Sequence, residues 1–204
     1  MELLEVIKKR RAVREYTNAP IERSVVERLI NTAILAPSAI NLQPWAFAVV
    51  LDPARIEEFG KRAKTWSLSN FGQTSFTPEL RKMLEDPSFT MFYHAPALVV
   101  VLAKSSDTQD AEDCCLAAEN LMLAARDQGL GTCWIGLARP WLNLSSTKAE
   151  LKLPNQYRVV APIVLGHPKA WPESHGRTPA EIHWLKKKQA RPTSPIRKSC
   201  AEQR

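Results

Sequence analysis

Residues 97–102 read Ala-Leu-Val-Val-Val-Leu, an unbroken apolar run of strand length. A strand with one wet face alternates apolar and polar side chains, so this run fits a strand covered on both faces. After it the pattern predicts a long helix over residues 107–127, stopped at Gly129. This helix carries Ala111, Cys114, Cys115, Ala117, Ala118, Ala124 and Ala125 around Leu116, Leu121, Met122 and Leu123. Small side chains on several faces let other helices approach closely, so it is expected to be central or to lie at a subunit interface.

Hydrophobic spacing predicts the remaining elements. Leu3, Leu4 and Ile7 mark a helix over 2–9, and Val25, Val26, Leu29, Ile30, Ala33 and Ile34 mark one over 22–36 that Pro37 helps to stop. Residues 45–50 read as a strand, and 53–62 as a short helix opened by Asp52-Pro53. Two further strands are expected at 133–135 and 159–165, with a helix over 147–153 between them. Residues 63–91 mix Ser, Thr, Asn, Gly and Pro with aromatics and fit no element. A long unassigned stretch in a compact domain often carries function. The order of elements describes one mixed α/β domain over residues 1–185, with no internal repeat.

At 204 residues, 45% hydrophobic and 24% charged, the chain has the composition of a single globular domain. Its longest apolar stretch, 95–103, is far short of the ~20 residues of a membrane helix. Met1-Glu2-Leu3-Leu4-Glu5 carries acids early and does not resemble a secretion signal. The net charge of +7 is concentrated at one end: residues 186–204 hold seven Lys and Arg against Glu202, a balance of +6, leaving +1 for residues 1–185. The body offers no nucleic-acid surface, and the basic tail is expected to be disordered and solvated. Four cysteines without a Cys-x-x-Cys, and four histidines at no zinc spacing, predict neither a disulfide framework nor a metal site. Reduced thiols and no export signal predict a cytoplasmic protein with no membrane association.

Four constellations could carry chemistry. Arg10-Arg11-Ala12-Val13-Arg14 places two guanidiniums four residues apart, spaced either to converge on an anion or to complement a helix C-terminus. Pro37-Ser38-Ala39-Ile40-Asn41-Leu42-Gln43-Pro44 is a constrained polar loop, suited to hydrogen bonding a heteroaromatic ring or simply to anchoring Trp45. Gly129-Leu130-Gly131-Thr132-Cys133-Trp134-Ile135-Gly136 is not a dinucleotide fingerprint, but Gly136 would allow a planar ligand close to the backbone. His175-Gly176-Arg177 offers one more anion ligand and a weaker one. No nucleophile elbow or Ser–His–Asp order is present, and Cys114 and Cys115 are expected to be buried on an Ala-rich helix.

Taken in order, these blocks resemble the FMN-dependent nitroreductase family: Arg10 to Tyr16, Ala36-Pro37-Ser38-Ala39 with Asn41 and Gln43-Pro44-Trp45, Ala118 to Ala125, Gly129 to Gly136, and Leu165-Gly166-His167-Pro168 with Arg177-Thr178-Pro179. The resemblance spans most of residues 2–185. It implies an α+β fold, a central mixed β-sheet flanked by helices, in an intertwined homodimer with FMN at the subunit interface. It further implies that Arg10, Arg14 and Arg177 hold the FMN phosphate, helped by Arg11 and the Ala12 backbone. Pro37, Ser38 and Ala39 would approach the ring edge from the other subunit, with Asn41 and Gln43 near the ring and ribityl chain. The backbone of Trp134, Ile135 and Gly136 would cover one face. The chain departs from the family in Ala12, where a Ser is frequent, and in His175, where many members carry another basic residue.

The implied activity is hydride transfer from NADH or NADPH, a transient co-substrate, through the flavin to a nitroaromatic, quinone or similar small-molecule acceptor in a ping-pong cycle. No catalytic side chain is then required, because a flavin carries the chemistry itself. Two alternatives remain at this point: a same-fold flavoenzyme for a specific metabolite (dehalogenating, flavin-destroying or dehydrogenating), and a non-enzymatic flavin-binding module.

Overall fold

Residues 97, 99, 101 and 103 of strand β2 (Ala97–Ala103) point into one apolar core, and Leu98, Val100 and Leu102 point into another. All seven are buried, which accounts for the unbroken apolar run. The computed structural model describes residues 1–73 and 77–185, and the tail expected to be disordered lies outside the described residues. The chain divides into two compact units, residues 1–174 and 175–204.

The first unit holds helices α1 (Leu3–Lys9), α2 (Arg23–Ala33), α3 (Pro53–Ser69), α4 (Pro78–Glu85), α5 (Thr108–Asp127), α6 (Arg139–Leu142) and α7 (Ser145–Glu150). With β2 stand strands β1 (Trp45–Val50), β3 (Gly131–Trp134) and β4 (Arg158–Gly166). The sheet order is β1-β2-β4-β3. The fold is α+β with helix-flanked strands, as expected, but every strand pair is antiparallel. The parallel component of a mixed sheet is confined, among the described residues, to a single bridge between Ala12 and Thr132.

One core packs α2 and α5 against the sheet through Leu29, Ala33, Ala117, Ala118 and Leu121; the other packs α3, α4 and α6 through Phe59, Ala63, Leu84 and Leu142. Pro162 lies within the interior strand β4 and lacks a ladder N–H. Its carbonyl accepts from Ile135, just past the end of β3, so its missing donor faces the place where pairing already stops. Helix α3 begins at its Asp52 cap, which accepts from the amides of Ala54 and Arg55. It runs beyond the predicted 62 because its buried stripe continues through Ala63 and Ser67, small residues with little hydrophobic signal. Helices α4 and the second half of α3 thus fill most of the unassigned stretch.

Helix α5 starts at Asp107, which accepts from the Gln109 amide, and ends in a paired C-terminal cap. Leu130 donates to the Ala125 carbonyl at 2.8 Å and Gly129 to Arg126 at 3.0 Å, with Gly129 at φ +74°. Cys114 is buried, and burial pushes its thiol up to about 12. Cys115, expected to be buried, is exposed instead, because the apolar stripe of α5 runs through residues 114, 117, 118, 121 and 125 and leaves 115 outside. A Gly129→Ala change meets open space but forces a left-handed φ on a residue with a Cβ. It should cost about 1 kcal/mol, lowering the melting temperature by roughly 2–4 °C for a chain of this size, as read by thermal denaturation.

Candidate functional site

The chain after α1 does not turn away from the sheet but extends along it. The Val13 amide donates to the Thr132 carbonyl at 2.9 Å, making the parallel bridge to β3. Thr17 donates to His167, and Lys169 to Glu15, so the same segment also pairs with the chain leaving β4. Tyr16 is buried and closes the segment by donating its hydroxyl to the Val13 carbonyl at 2.7 Å. Burial pushes its phenol far above the ordinary range, keeping it a neutral donor. Close approach is possible because Gly131 has no side chain. A Cβ there would sit 2.7–2.9 Å from the branch atoms of Val13, which cannot swing aside.

The docked segment carries Arg10 and Arg14, two of the three expected anion ligands, and both act on the Cys133 thiol. Burial pushes the Cys133 thiol up, while the Arg14 and Arg10 guanidiniums beside it pull the other way. The Arg10 Nε lies 3.5 Å from the Glu119 carboxylate on α5, a half-exposed pair that contributes no more than about 1 kcal/mol. Arg14 is exposed, lies 5.9 Å from the centre of the Tyr93 ring, and has no carboxylate partner among the described residues. Tyr93 and His94 both take left-handed φ values of 54° and 51°, and His94 is held to Glu57 at 3.1 Å. Arg11 is engaged elsewhere, because its Nη1 donates to the Lys8 and Arg10 carbonyls at 2.7 Å and caps the end of α1.

β3 leads directly to the third block. Trp134 is half-buried, Ile135 is buried with its amide committed to Pro162, and Gly136 is exposed. Gly136 opens a short 3-10 turn, Gly136–Ala138, so its amide has no partner within that turn. Nothing lies within 4 Å of where its Cβ would be. The segment docked on β3 thus carries an exposed guanidinium beside Tyr93 and another loosely paired with Glu119, and β3 itself ends at an open backbone surface at Gly136. Such a donor set suits an anionic, planar ligand.

The loop with Pro37, Ser38, Ala39, Asn41 and Gln43 is not brought to that place. It docks on α5 through Asp113, whereas Arg10 meets α5 at Glu119, six residues on. That separation is roughly 9 Å along the helix and about 120° around it. Within the loop the Gln43 amide donates to the Ser38 hydroxyl, and the Gln43 side-chain amide donates to Asn41, each at 3.0 Å. Ile40, Asn41 and Gln43 have φ values of 44°, 61° and 51°, each costing about 1–2 kcal/mol. His175 and Arg177 belong to the second unit, where Arg177 donates to the Gly176 carbonyl at 2.6 Å.

Four participants escaped the sequence reading: Tyr93, Glu119, Gly131 as a contact point, and Asp113. Only Asp113 left a readable mark, an acid four residues before Ala117 on the stripe that α5 buries. Gly131→Ala should cost about 1–3 kcal/mol by overpacking against Val13. Gly136→Ala should stay within about 0.5 kcal/mol of the parent. Denaturant unfolding of both variants checks the contrast, and equal losses would contradict the close approach at Gly131.

Residues 7–167 match the Nitroreductase family. A protein of Archaeoglobus fulgidus named "Putative NADH dehydrogenase/NAD(P)H nitroreductase" is 31% identical over 82% of this chain and 86% of its own. A 5,6-dimethylbenzimidazole synthase of Rhodospirillum rubrum is 29% identical over 78% of this chain and 79% of its own. The crystal structure of a nitroreductase with bound FMN from Bacteroides fragilis superposes with a TM-score of 0.77 at 27% identity, covering 91% of this chain and all of that one (100%). The docked arginine segment, the open end of β3 and these likenesses agree, and the chain belongs to the nitroreductase family.

Proposed function

We propose that this chain is an FMN-dependent oxidoreductase that takes hydride from NADH or NADPH and passes it to a nitroaromatic, quinone or similar electrophile, the two substrates occupying one site in turn. The observation that carries the reading is Arg14, an exposed guanidinium without a carboxylate partner among the described residues, on the same β3-docked segment as Arg10. The donor set fits FMN. Its phosphate is close to a dianion, and each charge-assisted bond to it contributes about 1.5–3 kcal/mol. That exceeds what Glu119 offers Arg10, so the phosphate displaces the carboxylate.

Arg10, Arg14 and Arg177 serve as phosphate ligands in this reading, with Arg11 and the Ala12 backbone assisting and His175 adding a further donor. Trp134, Ile135 and Gly136 lie against the ring, and the Gly136 amide supplies a hydrogen bond to it. FMN, when bound, supplies the hydride chemistry, so these residues bind and orient rather than transfer protons. The loop with Pro37, Ser38, Ala39, Asn41 and Gln43 serves the site of a second copy of the chain. Support for a homodimer comes from Leu3, Leu4, Ile7 and Leu35, all at least half exposed. A groove of about 430 Å³ between α1, α2 and α5 adjoins them. Apolar exposure of this kind is typical of surfaces covered by another protein.

A second reading, an oxidoreductase for one specific metabolite, is favoured by the Rhodospirillum rubrum relative, whose name gives a biosynthetic product. In that case Trp66 and Phe71, the latter stacked by Arg81 at 5.3 Å, line the acceptor's side and set its identity; Phe76, expected to act with them as a lid, lies outside the described residues. Stopped-flow reoxidation of the reduced flavin against a panel of acceptors separates the two.

The purified protein should be yellow, release FMN on denaturation, and bleach anaerobically with NADH or NADPH. A colourless protein that FMN does not reconstitute overturns the reading. Arg14→Ala and Arg177→Ala should each weaken FMN binding by about 1.5–3 kcal/mol, measured by flavin fluorescence. Unchanged affinity removes the substituted arginine from the site.

A further inference from the structure

Among the described residues Asp113 is the only buried carboxylate, 2% exposed, and it forms no ion pair. An acid on a helix stripe of Cys114, Ala117, Ala118 and Leu121 is costly unless its oxygens are engaged. Both are engaged. Oδ1 accepts from the Gln109 side-chain amide at 3.1 Å, and Oδ2 accepts from the backbone amide of Ala39 at 3.0 Å, across 74 residues of sequence. The second bond is the one hydrogen bond among the described residues that ties residues 38–43 to the rest of the chain.

The loop so tied does not hold its shape by propensity. Ile40 is β-branched, left-handed at φ 44° and ψ 27°, and 90% exposed, so neither its backbone preference nor burial of its side chain explains it. Asn41 and Gln43 are left-handed as well. Such a conformation persists where surrounding bonds over-determine it. Ser38 and Asn41 close the loop on itself, and Asp113 fastens the closed loop to α5.

We propose that Asp113 is a positioning residue for the flavin site: it holds the Pro37–Gln43 loop in the one conformation that presents its polar groups to the edge of the flavin ring. The proposal rests on the flavin reading above. It assigns no contact between Asp113 and the flavin; the carboxylate acts through the Ala39 amide. Gln109 is part of the device, because its bond to Oδ1 fixes the rotation of the carboxylate and so aims Oδ2.

The test compares the FMN-loaded full chain with Asp113→Ala, Asp113→Leu and Asp113→Asn. Leu matches Asp in branched shape and heavy-atom count and leaves no cavity; Asn is nearly equal in volume and keeps an acceptor oxygen. Hydrogen exchange at Ala39, FMN affinity, the flavin absorption band and its midpoint potential are read together. Asp113→Ala and Asp113→Leu should speed Ala39 exchange at least tenfold, weaken FMN at least tenfold, and shift the band and the potential. Asp113→Asn should restore all four to near the parent values, which a purely structural role for a buried charge does not require. Faster exchange with unchanged affinity, band and potential overturns the proposal, as does unchanged exchange at Ala39. A parent chain that binds no FMN overturns the flavin reading and the loop's role in it, while exchange at Ala39 still decides separately whether Asp113 is the tether.

Discussion

The hydrogen bond from the Val13 amide to the Thr132 carbonyl is where the organisation of the first unit and its chemistry meet. It places a short arginine-bearing segment beside an edge strand rather than in solvent. Gly131 makes it possible by leaving no side chain to collide with Val13. Tyr16 and the pairing with His167 and Lys169 fix the far end. The segment so held carries both Arg10 and Arg14. In the reading proposed above, an anionic ligand held by these guanidiniums couples binding to local stability.

The sheet has a core on each face, and the two faces differ in what they carry. The core beneath α3, α4 and α6 takes in Val13, Tyr16, Cys133 and Ile135, so the site is anchored on that side. The other core lies under α2 and α5, next to the exposed Leu3, Leu4 and Ile7 of α1 and Leu35 just past α2. Asp113 sits in the α5 stripe but works on a loop outside it.

Elements with a strong repeating signal were legible in the sequence. β1 matches its predicted residues, β2 extends one residue further, and α5 begins one residue later. In each, burial on a fixed face dictates the side chains. Where small or mixed residues do the packing, the signal failed: the second half of α3, α4 behind its Pro78, and the four-residue α6. The site followed the same division. Arg10, Arg14 and Gly136 stood out by residue type, but the docking of the arginine segment on β3 depends on an isolated bridge between residues far apart in sequence. No periodicity encodes such a contact. Arg11 adds a bond no residue type foretells, since its Nη1 donates to the Lys8 and Arg10 carbonyls at the end of α1.

β2 has a further consequence for how the chain reaches this structure. Its partners in β4 lie 55 residues away for Ala103 with Arg158 and 68 for Ala97 with Leu165. At translation rates of about 5–20 residues per second, the strand waits roughly 3–14 seconds for the other half of the sheet to be made. During that interval a segment with no charge between Ala97 and Ala103, and Lys104 only at its end, has β1 on one side and nothing on the other. Covering by α5, which is synthesised in between, protects one face but not the open edge. The price of a strand dry on both faces is thus a nascent chain that depends on timely pairing, or on a chaperone, to avoid self-association.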